Sequence, residues 1–356
     1  MTKPKGAVAP GTRDALFLGR DLCVLNRPRD TDTVIVAFQP WLPQGGGPWS
    51  DRLETDETFE RLLDSPLHLV LVHQRGNLWY ETPELDRALA VIGDAVRGKK
   101  VVTCGLSMGG YAAIITATAL SARVFSMAAQ YSVDTALVPF EDRWKHDTAP
   151  LRFAANRVRT RGQGVRGLNF LDSLNGDDIR HTRLIEADTD IDTVYLPFGS
   201  HLVSRHLDSA FGLAGLVTEF ASGDLEKRQI IARRRDRRAG DPSYLSSLMA
   251  KLLKRGRVSD AVAVLDGPLS LVDLPLWQTR ILIEALATHG QADRAGRLYA
   301  TAAARVLAEP VDFYNLARAA RALGRGDDFR NLIAQGLQRF PRSPLMQEVA
   351  EDAGLT

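Results

Sequence analysis

Residues 100–110 read KVVTCGLSMGG, a sequence from which most of the predicted architecture follows. The apolar run Lys100–Cys104 is typical of a buried strand, and the alanine-rich stretch Gly110–Ala119 is typical of a helix. Between them lies a G-x-S-x-G sequence with Ser107 at its centre. A sharp turn from strand to helix would force Ser107 into a strained conformation that projects its hydroxyl above the sheet. The flanking glycines are expected because neighbouring strands and helices crowd that backbone.

On both sides of this turn, from residue 22 to about 200, short apolar runs alternate with amphipathic stretches of helical length. This alternation predicts an α/β fold whose mostly parallel sheet is covered by helices. The predicted strands are Leu22–Leu25, Thr33–Phe38, Leu67–Val72, Lys100–Cys104, Val124–Ala129, Leu168–Leu171 and Thr193–Leu196. Their uniform apolarity favours central parallel strands buried on both faces. The predicted helices are Glu57–Leu63, Pro83–Val96, Gly110–Ala119 and a closing helix, Leu202–Phe220.

Residues 134–166 interrupt this alternation with two prolines and a basic run, and they contain no clear strand. An excursion of this length usually forms a lid or a binding loop, so a lid-like insertion is predicted here. The segment contains a G-x-G-x-x-G sequence, Gly162–Gly167. These glycines precede a strand, whereas phosphate binding requires them after a strand and at the start of a helix. A dinucleotide site is therefore rejected, and no cofactor is predicted.

Residues 223–241 include the run RRRDRR at 233–238 and are predicted to form a charged linker. The run could contact acidic lipid or nucleic acid, but a solvated helical linker is the favoured interpretation, and no nucleic-acid partner is predicted. From residue 242 onward only helical patterning remains. The sequence therefore predicts a second, all-α domain over residues 242–356.

The predicted second domain contains an internal repeat. Gly256, Gly290 and Gly324 are spaced by 34 residues, and a leucine stands eight positions before each of them. This pattern resembles the tetratricopeptide repeat, a helix–turn–helix unit of the same period. The resemblance implies three stacked repeats, a capping helix over Pro344–Ala353, and a surface for a protein partner. The alternative is a set of unrelated helical hairpins.

The composition of the 356-residue chain limits its class. Its 45% hydrophobic and 25% charged residues are typical of a globular protein with about two domains. A formal net charge of +2 provides no whole-chain attraction to nucleic acid or membranes. The two cysteines, Cys23 and Cys104, are isolated, so neither a disulfide framework nor a metal site is predicted. Without a membrane span or a signal-peptide pattern, a cytoplasmic location is expected.

The strand–turn–helix at Ser107 resembles the nucleophile turn of the α/β-hydrolase superfamily, and the resemblance extends over about residues 12–222. A serine hydroxyl is a poor nucleophile at neutral pH, so the resemblance implies a histidine base and an acid, in the chain order Ser, acid, His. His201 follows a predicted strand and precedes the closing helix, where the superfamily places its base. The other histidines after Ser107 are interpreted as surface, packing or helix-face residues: His146, His181 and His206.

The acid is expected on the turn that follows strand Leu168–Leu171, where Asp177 and Asp178 are adjacent. Asp178 is the preferred candidate. Asp177 remains an alternative, because one residue of the pair could cap the following helix. Asp134 is a weaker alternative, since some members of the superfamily carry the acid after the preceding strand.

An oxyanion hole requires two backbone N–H groups directed at the developing charge. The resemblance implies Met108, directly after the nucleophile, as one donor. The other donor should come from the loop Gln39-Pro40-Trp41, where members of the superfamily commonly have His-Gly. Pro40 has no N–H, so the donor would be Gln39 or Trp41. The glycine triplet at 45–47 is a minor alternative.

Aromatic residues are frequent in the loops that follow the carboxyl ends of the predicted strands. Trp41, Trp49, Trp79 and Tyr80 lie there, on the edge where ligands of open α/β sheets bind. An apolar or acyl-accepting substrate pocket that includes Trp41, Trp79 and Tyr80 is therefore predicted. Simple packing of the loops by these aromatic side chains is an equal alternative for each of them.

Together these features predict a serine hydrolase that cleaves a carboxylic ester or thioester through an acyl-enzyme. The substrate would be a small or acyl-carrying molecule, and the helical repeats would recruit a partner or the substrate. The same residues could pass the acyl group to an acceptor other than water. A further alternative is a non-catalytic, hydrolase-like binding protein that works through its repeats.

Overall fold

The structure is a computed structural model that describes residues 15–42, 61–153, 155–223, 225–265, 275–341, 343–352 and 354. The chain forms two compact units, unit 1 (Met1–Arg235) and unit 2 (Asp236–Thr356). The division lies within residues 223–241. Trp49, the glycines at 45–47 and most of the predicted helix Glu57–Leu63 lie outside the described residues.

Unit 1 is built on an eight-stranded sheet with the order β1-β2-β4-β3-β5-β6-β7-β8. The strands are β1 (Ala15–Leu18), β2 (Leu22–Arg27), β3 (Thr33–Phe38), β4 (His68–Gln74), β5 (Lys100–Leu106), β6 (Arg123–Met127), β7 (Arg166–Leu171) and β8 (Asp190–Tyr195). β2 pairs antiparallel with β1 and with β4, and all other neighbours are parallel. Because parallel strands end at the same edge, the loops after β3, β5, β7 and β8 meet there.

Helices cover both faces of the sheet. They are α1 (Leu85–Ala95), α2 (Met108–Ala117), α3 (Lys145–Thr148), α4 (Arg157–Arg161), α5 (Gly176–Asp188), α6 (Val203–Phe211), α7 (Leu213–Ser222) and α8 (Lys227–Arg237). Consecutive β3 side chains point to opposite faces, so Val34 and Val36 pack in one apolar cluster with α1 and α2, and Ile35 and Ala37 in another with α6 and α7. This architecture fits the α/β-hydrolase fold, followed by a helical region, and confirms the predicted fold class.

Three details of the predicted elements are wrong. β2 was expected among the parallel strands but runs antiparallel to both neighbours, because burial on both faces gives the same hydropathy in either direction. Ala15–Leu18 is a strand that was not predicted, since three partly buried residues and the exposed Leu18 provide no usable alternation. The closing helix Leu202–Phe220 is two helices, because Gly212 adopts a φ of 74° that a right-handed helix cannot contain.

Unit 2 consists of helices in its described residues. They are α9 (Pro242–Lys254), α10 (Val258–Leu265), α11 (Leu276–Thr288), α12 (Ala292–Ala303), α13 (Pro310–Ala322), α14 (Gly326–Arg339) and α15 (Pro344–Asp352), with a 3₁₀ turn at Arg238–Gly240 before them. Gly256, Gly290 and Gly324 follow α9, α11 and α13 with φ of 70°, 74° and 70°. A left-handed residue directly after a helix ends it, and glycine adopts that conformation without strain. The 34-residue spacing therefore corresponds to three helix pairs.

Across the described residues, no helix combines the length and the apolarity that a membrane crossing requires.

Candidate active site

The turn between β5 and α2 holds Ser107 in a strained conformation. Ser107 has φ 54° and ψ −114°, and its N–H donates to Met127 O at 2.8 Å. A positive φ is uncommon for a residue with a Cβ and costs about 1–3 kcal/mol. A Cβ on Gly105 would lie 2.2 Å from the carbonyl carbon of Gly109, and a Cβ on Gly109 would lie 2.2 Å from Phe38 O. Both glycines are therefore required by close backbone approaches at this turn.

The structure brings Ser107, His201 and Asp178 into one hydrogen-bonded chain. Nε2 of His201 lies 3.0 Å from Ser107 Oγ, and Nδ1 lies 2.9 Å from Asp178 Oδ2. An ionised carboxylate can only accept, so Nδ1 carries the proton and Nε2 is free to accept from the hydroxyl. The Asp178 side chain is 1% exposed and that of His201 is 22% exposed. The arrangement can remove a proton from Ser107 as its oxygen attacks an electrophile.

Asp178 lies in the first turn of α5, where the positive end of the helix dipole favours a negative charge. Asn175, the residue before α5, donates from Nδ2 to Asp178 Oδ2 at 2.8 Å. The adjacent Asp177 points away: its side chain is 42% exposed and lies 3.6 Å from Arg180. The carboxylate therefore reaches His201 from position 178, and not from position 177.

Asp134 also lies away from His201. Its Oδ1 accepts a hydrogen bond from the backbone N–H of Ala136 at 3.0 Å, two residues later. This contact forms a local turn at the start of the 134–166 segment. His146 is exposed on this segment, whereas His206 is buried within α6.

A second buried aspartate holds the loop that carries His201. Asp172 accepts hydrogen bonds from the N–H groups of Phe198 at 3.0 Å and Ser200 at 2.9 Å. Phe198 and Ser200 have φ of 70° and 55°, so both residues occupy a conformation that side chains disfavour. The Asp172 carboxylate stabilises this strained loop and thereby fixes the position of His201.

The 134–166 segment contributes two charged side chains to the acid end of the site. Arg143 Nη1 lies 3.2 Å from Asp178 Oδ1, and its Nη2 lies 2.6 Å from Glu141 Oε2. The Glu141 side chain is almost fully buried and accepts a further hydrogen bond from His181 Nε2 at 2.8 Å. Burial opposes the ionisation of Glu141, but hydrogen bonds from His181 and Arg143 and the charge of Arg143 outweigh it. The pKa of Glu141 is therefore held well below its ordinary value of 4.5.

The candidate oxyanion donors differ in their availability. The N–H of Gln39 donates to Val72 O at 3.1 Å and continues the pairing of β3 with β4. Pro40 has no N–H. Within the described parts of the chain, the N–H groups of Met108 and Trp41 have no hydrogen-bond partner. These two N–H groups can therefore donate to a ligand oxygen without breaking an existing hydrogen bond.

A buried glutamine connects these two donor segments. The Gln74 N–H donates to Gln39 Oε1 at 2.8 Å, and Gln74 Nε2 lies 3.4 Å from Met108 Sδ. Gln74 Oε1 accepts from the Tyr80 N–H at 3.0 Å, while the Tyr80 hydroxyl donates to Gln39 O at 3.0 Å. Tyr80 thus lies beneath the loop and supports it, with its own side chain fully buried.

Three tryptophans pack together, and one of them, Trp144, lies beside His201. The ring of Trp144 lies 4.9 Å from that of Trp41, 5.8 Å from that of Trp79 and 6.4 Å from the His201 ring. Trp41 and Trp144 are partly exposed, whereas Trp79 is fully buried. Trp41 Nε1 donates to Asp147 Oδ2 at 2.6 Å, which connects the loop after β3 to α3.

Sequence reasoning missed several residues that contact the site. They are Glu141, Arg143, Trp144, Asp172 and Asn175. Asn175 could have been found, because an asparagine directly before a helical pattern is a strong N-cap signal. The residues of the 134–166 segment had no such signal, since this segment has neither strand nor helix periodicity.

In the described ranges, no cluster of three or more His, Cys, Asp or Glu residues could hold a metal ion. Cys23 and Cys104 are both free and buried. Burial raises the pKa of the Cys104 thiol to about 12, so this group is protonated at neutral pH.

No protein-family model matches the chain, and no curated protein matches it in sequence. Several solved structures resemble it weakly, including the following two. A dienelactone hydrolase from Anabaena variabilis is 16% identical, with a TM-score of 0.34, over 58% of this chain and 93% of that one. The second is the Vlm2 thioesterase domain with genetically encoded 2,3-diaminopropionic acid, bound with a dodecadepsipeptide. It is 17% identical, with a TM-score of 0.30, over 53% of this chain and 99% of that one.

Proposed function

We propose that this protein is a serine hydrolase that cleaves a carboxylic ester or thioester through an acyl-enzyme formed on Ser107. The observation that carries the proposal is the chain of hydrogen bonds from Ser107 through His201 to Asp178, at the carboxyl end of the central strand β5. A strained serine at the carboxyl edge of the sheet, hydrogen-bonded to an oriented histidine, is the arrangement that activates a hydroxyl at neutral pH.

The first half of the proposed reaction forms the acyl-enzyme. Nε2 of His201 takes the proton of Ser107 as Oγ bonds to the carbonyl carbon, and the Asp178 carboxylate stabilises the resulting imidazolium. The imidazolium then gives the proton to the leaving alcohol or thiol as its bond to the acyl carbon breaks. In the second half, His201 takes a proton from water as the water oxygen bonds to the acyl carbon. The imidazolium then returns the proton to Ser107 Oγ as the bond from Oγ to the acyl carbon breaks, which releases the carboxylic acid and regenerates Ser107.

The negative oxygen of each tetrahedral intermediate requires donors on the opposite side from His201. We assign this role to the N–H groups of Met108 and Trp41, because both are free of hydrogen bonds among the described residues while that of Gln39 is engaged. Gln74 supports both donors through Met108 Sδ and Gln39 Oε1. Although Pro40 has no N–H, an oxyanion hole with two backbone donors can therefore still form.

The substrate group next to the reacting carbonyl is expected to be apolar. Trp41 and Trp144 are partly exposed, and Trp144 lies beside the His201 ring, so these two rings would contact the substrate. Trp79 packs behind Trp144, and Tyr80 lies beneath the Gln39 loop. Stacked indole rings favour aromatic or long apolar acyl groups over small polar ones.

Labelling with a serine-directed fluorophosphonate tests this proposal, because it requires an activated and accessible hydroxyl. The full chain is expected to be labelled, and Ser107→Ala is expected to lose all labelling. Ser209→Ala is a matched control that removes another serine hydroxyl of unit 1 and should be labelled like the wild type. An unlabelled, folded wild-type chain without activity on any p-nitrophenyl ester would overturn the proposal.

The helical pairs of unit 2 are proposed to be tetratricopeptide-like repeats that recruit a partner protein. Supporting this, the small residues five positions after the first two glycine turns, Ala261 and Ala295, are buried in the apolar cluster of unit 2. Phe329 stands at this position in the third pair and departs from the small residue of the repeat pattern. Removal of residues 241–356 should then leave hydrolysis of a short-chain ester within about threefold of the full chain, since each repeat packs mainly on its neighbours. A soluble but inactive truncated chain would contradict this division of roles.

A further inference from the structure

We propose that Arg143 is a positioning residue that orients the carboxylate of Asp178. The 134–166 segment, which carries Arg143, would then contribute to catalysis as well as covering the site. This inference rests on the proposed function. It assigns to the segment a role at the acid, on the side of the histidine opposite to the nucleophile.

The contacts of the Asp178 carboxylate lead to this role. Oδ2 accepts from His201 Nδ1 at 2.9 Å and from Asn175 Nδ2 at 2.8 Å, while Oδ1 accepts from Arg143 Nη1 at 3.2 Å. Donors on both oxygens fix the rotation of the carboxylate group. Without Arg143, Oδ1 would keep only its 3.0 Å contact with His201, and the plane of the carboxylate would be free to turn.

Arg143 is itself held rigidly by Glu141, two positions earlier. Oε1 of Glu141 accepts from the backbone N–H of Arg143 at 3.0 Å and from its Nε at 2.9 Å, and Oε2 accepts from its Nη2 at 2.6 Å. This two-pronged contact uses the planar fork of the guanidinium, which the ammonium of a lysine cannot reproduce. Only Nη1 is left to reach Asp178.

His181 closes the chain of contacts into a ring. Its Nδ1 accepts from the Tyr131 N–H at 3.2 Å, so the proton of the neutral imidazole lies on Nε2 and is donated to Glu141 at 2.8 Å. His181 and Asp178 are three residues apart on α5 and therefore lie on the same face of that helix. The ring from Asp178 through Arg143, Glu141 and His181 returns to α5, so none of its members can shift alone.

The charges of the ring are also matched to the proposed chemistry. Glu141 and Arg143 neutralise each other, which leaves the single negative charge of Asp178 to stabilise a positive His201. Loss of the guanidinium would leave two buried carboxylates, Glu141 and Asp178, without their shared cation. A buried charge that loses its partner is costly, so the carboxylates would move apart or recruit water.

The test compares steady-state hydrolysis of p-nitrophenyl butyrate by full-length Arg143→Ala, Arg143→Lys and the control Arg152→Ala, whose arginine is exposed on the same segment. Arg143→Ala should lower kcat by about 10–100-fold while KM stays within about twofold, because a misplaced acid affects the reaction and not substrate binding. Arg143→Lys should recover part of this loss. Millimolar guanidinium should raise the kcat of Arg143→Ala at least tenfold and leave Arg152→Ala unchanged.

A folded Arg143→Ala with wild-type kcat would overturn the inference, as would equal effects of Arg143→Ala and Arg152→Ala. If circular dichroism finds Arg143→Ala unfolded, Arg143→Lys decides. A folded lysine variant with a tenfold lower kcat and unchanged KM supports positioning, while wild-type kcat or failure to fold overturns it in favour of a purely structural ion pair. Failure of the proposed function is distinct, since the wild-type chain would then neither hydrolyse esters nor react with fluorophosphonate.

Discussion

His201 and His181 are two histidines of unit 1 that each share a hydrogen bond with a buried carboxylate. His201 lies 2.9 Å from Asp178, and His181 lies 2.8 Å from Glu141. Arg143 contacts both carboxylates, so the two pairs are arranged on either side of one guanidinium. By the strength of the histidine–carboxylate contact alone, the two pairs are equivalent.

The second ring nitrogen separates the two histidines. Nε2 of His201 faces the hydroxyl of Ser107, whereas Nδ1 of His181 accepts the backbone N–H of Tyr131 in the interior. A histidine can act as a base only if its free nitrogen meets a transferable proton, and a backbone amide does not provide one. The partner of the remaining nitrogen, and not the carboxylate, therefore decides which pair is suited to catalysis.

The largest expected effect comes from removing either end of the reactive pair. Ser107→Ala and His201→Ala should each reduce ester hydrolysis about 10⁴-fold or more, because neither group activates the reaction alone. Turnover of p-nitrophenyl butyrate and circular dichroism would measure activity and folding together. His146→Ala, at an exposed histidine, is the control and should retain full activity. A loss below tenfold in folded His201→Ala would show that another residue is the base.

The second-largest loss of activity is expected from replacing the acid, Asp178. Asp178→Asn keeps the shape of the side chain but presents an amide to His201, so we expect kcat to fall about 10²–10⁴-fold. Asp177→Asn is the matched control, since Asp177 lies one position away and contacts Arg180 at the surface. Its kcat should equal that of the wild type within about twofold. Equal activity of Asp178→Asn and the wild type would shift the acid to Asp177 or Asp134.

The buried pair should respond in stability more than in rate. His181→Leu removes the donor to the Glu141 carboxylate, and an unsatisfied buried acceptor costs about 1–3 kcal/mol of unfolding free energy. The effect on kcat should stay below about tenfold, because Glu141 still holds Arg143 through four hydrogen bonds. Urea denaturation and steady-state kinetics would separate the two effects. If the His181 variant had a kcat as low as that of His201→Ala, the His181–Glu141 pair would be as important for catalysis as the His201–Asp178 pair, which contradicts this comparison.

The smallest effect concerns pH. The pKa of Glu141 is lowered in the folded chain, so below its ordinary value of 4.5 the unfolded chain binds a proton that the folded chain does not. The contribution of the Glu141 carboxylate to the unfolding free energy is therefore fully present above about pH 4.5 and decreases as the pH falls below that value. Glu141→Gln removes this contribution, so its unfolding free energy should fall less steeply below pH 4.5, by up to about 1.4 kcal/mol per pH unit. Parallel slopes for wild type and variant would contradict the contact network around Glu141.

Much of the α/β unit could be predicted because its signals are local. β3 has the predicted bounds, since Val34–Phe38 is uniformly apolar and Pro40 follows two positions after the strand. The turn at Ser107 was predictable because the G-x-S-x-G sequence is itself local, and Gly105 is required by a close approach to Gly109, four residues later. The reversed direction of β2 was not, because strand direction depends on how the chain returns to the sheet and leaves no mark on hydropathy.

The contacts around Asp178 were less predictable for a related reason. Arg143 reaches Asp178 across 35 positions, and Glu141 reaches His181 across 40. In sequence, an arginine directly after two acidic residues indicates a solvated surface, and only the fold reveals that Glu141 is buried. The choice between Asp177 and Asp178 likewise depends on which side of α5 faces the sheet edge, which the short polar start of that helix does not indicate.

The hydrogen bond between Ser107 and His201 spans 94 positions of the chain. During synthesis at about 5–20 residues per second, roughly 5–20 seconds separate the appearance of the serine from that of the histidine. A growing chain thus carries its nucleophile well before the group that would activate it. We expect nascent chains to be chemically silent toward cellular esters until the last strand and the loop held by Asp172 have left the ribosome.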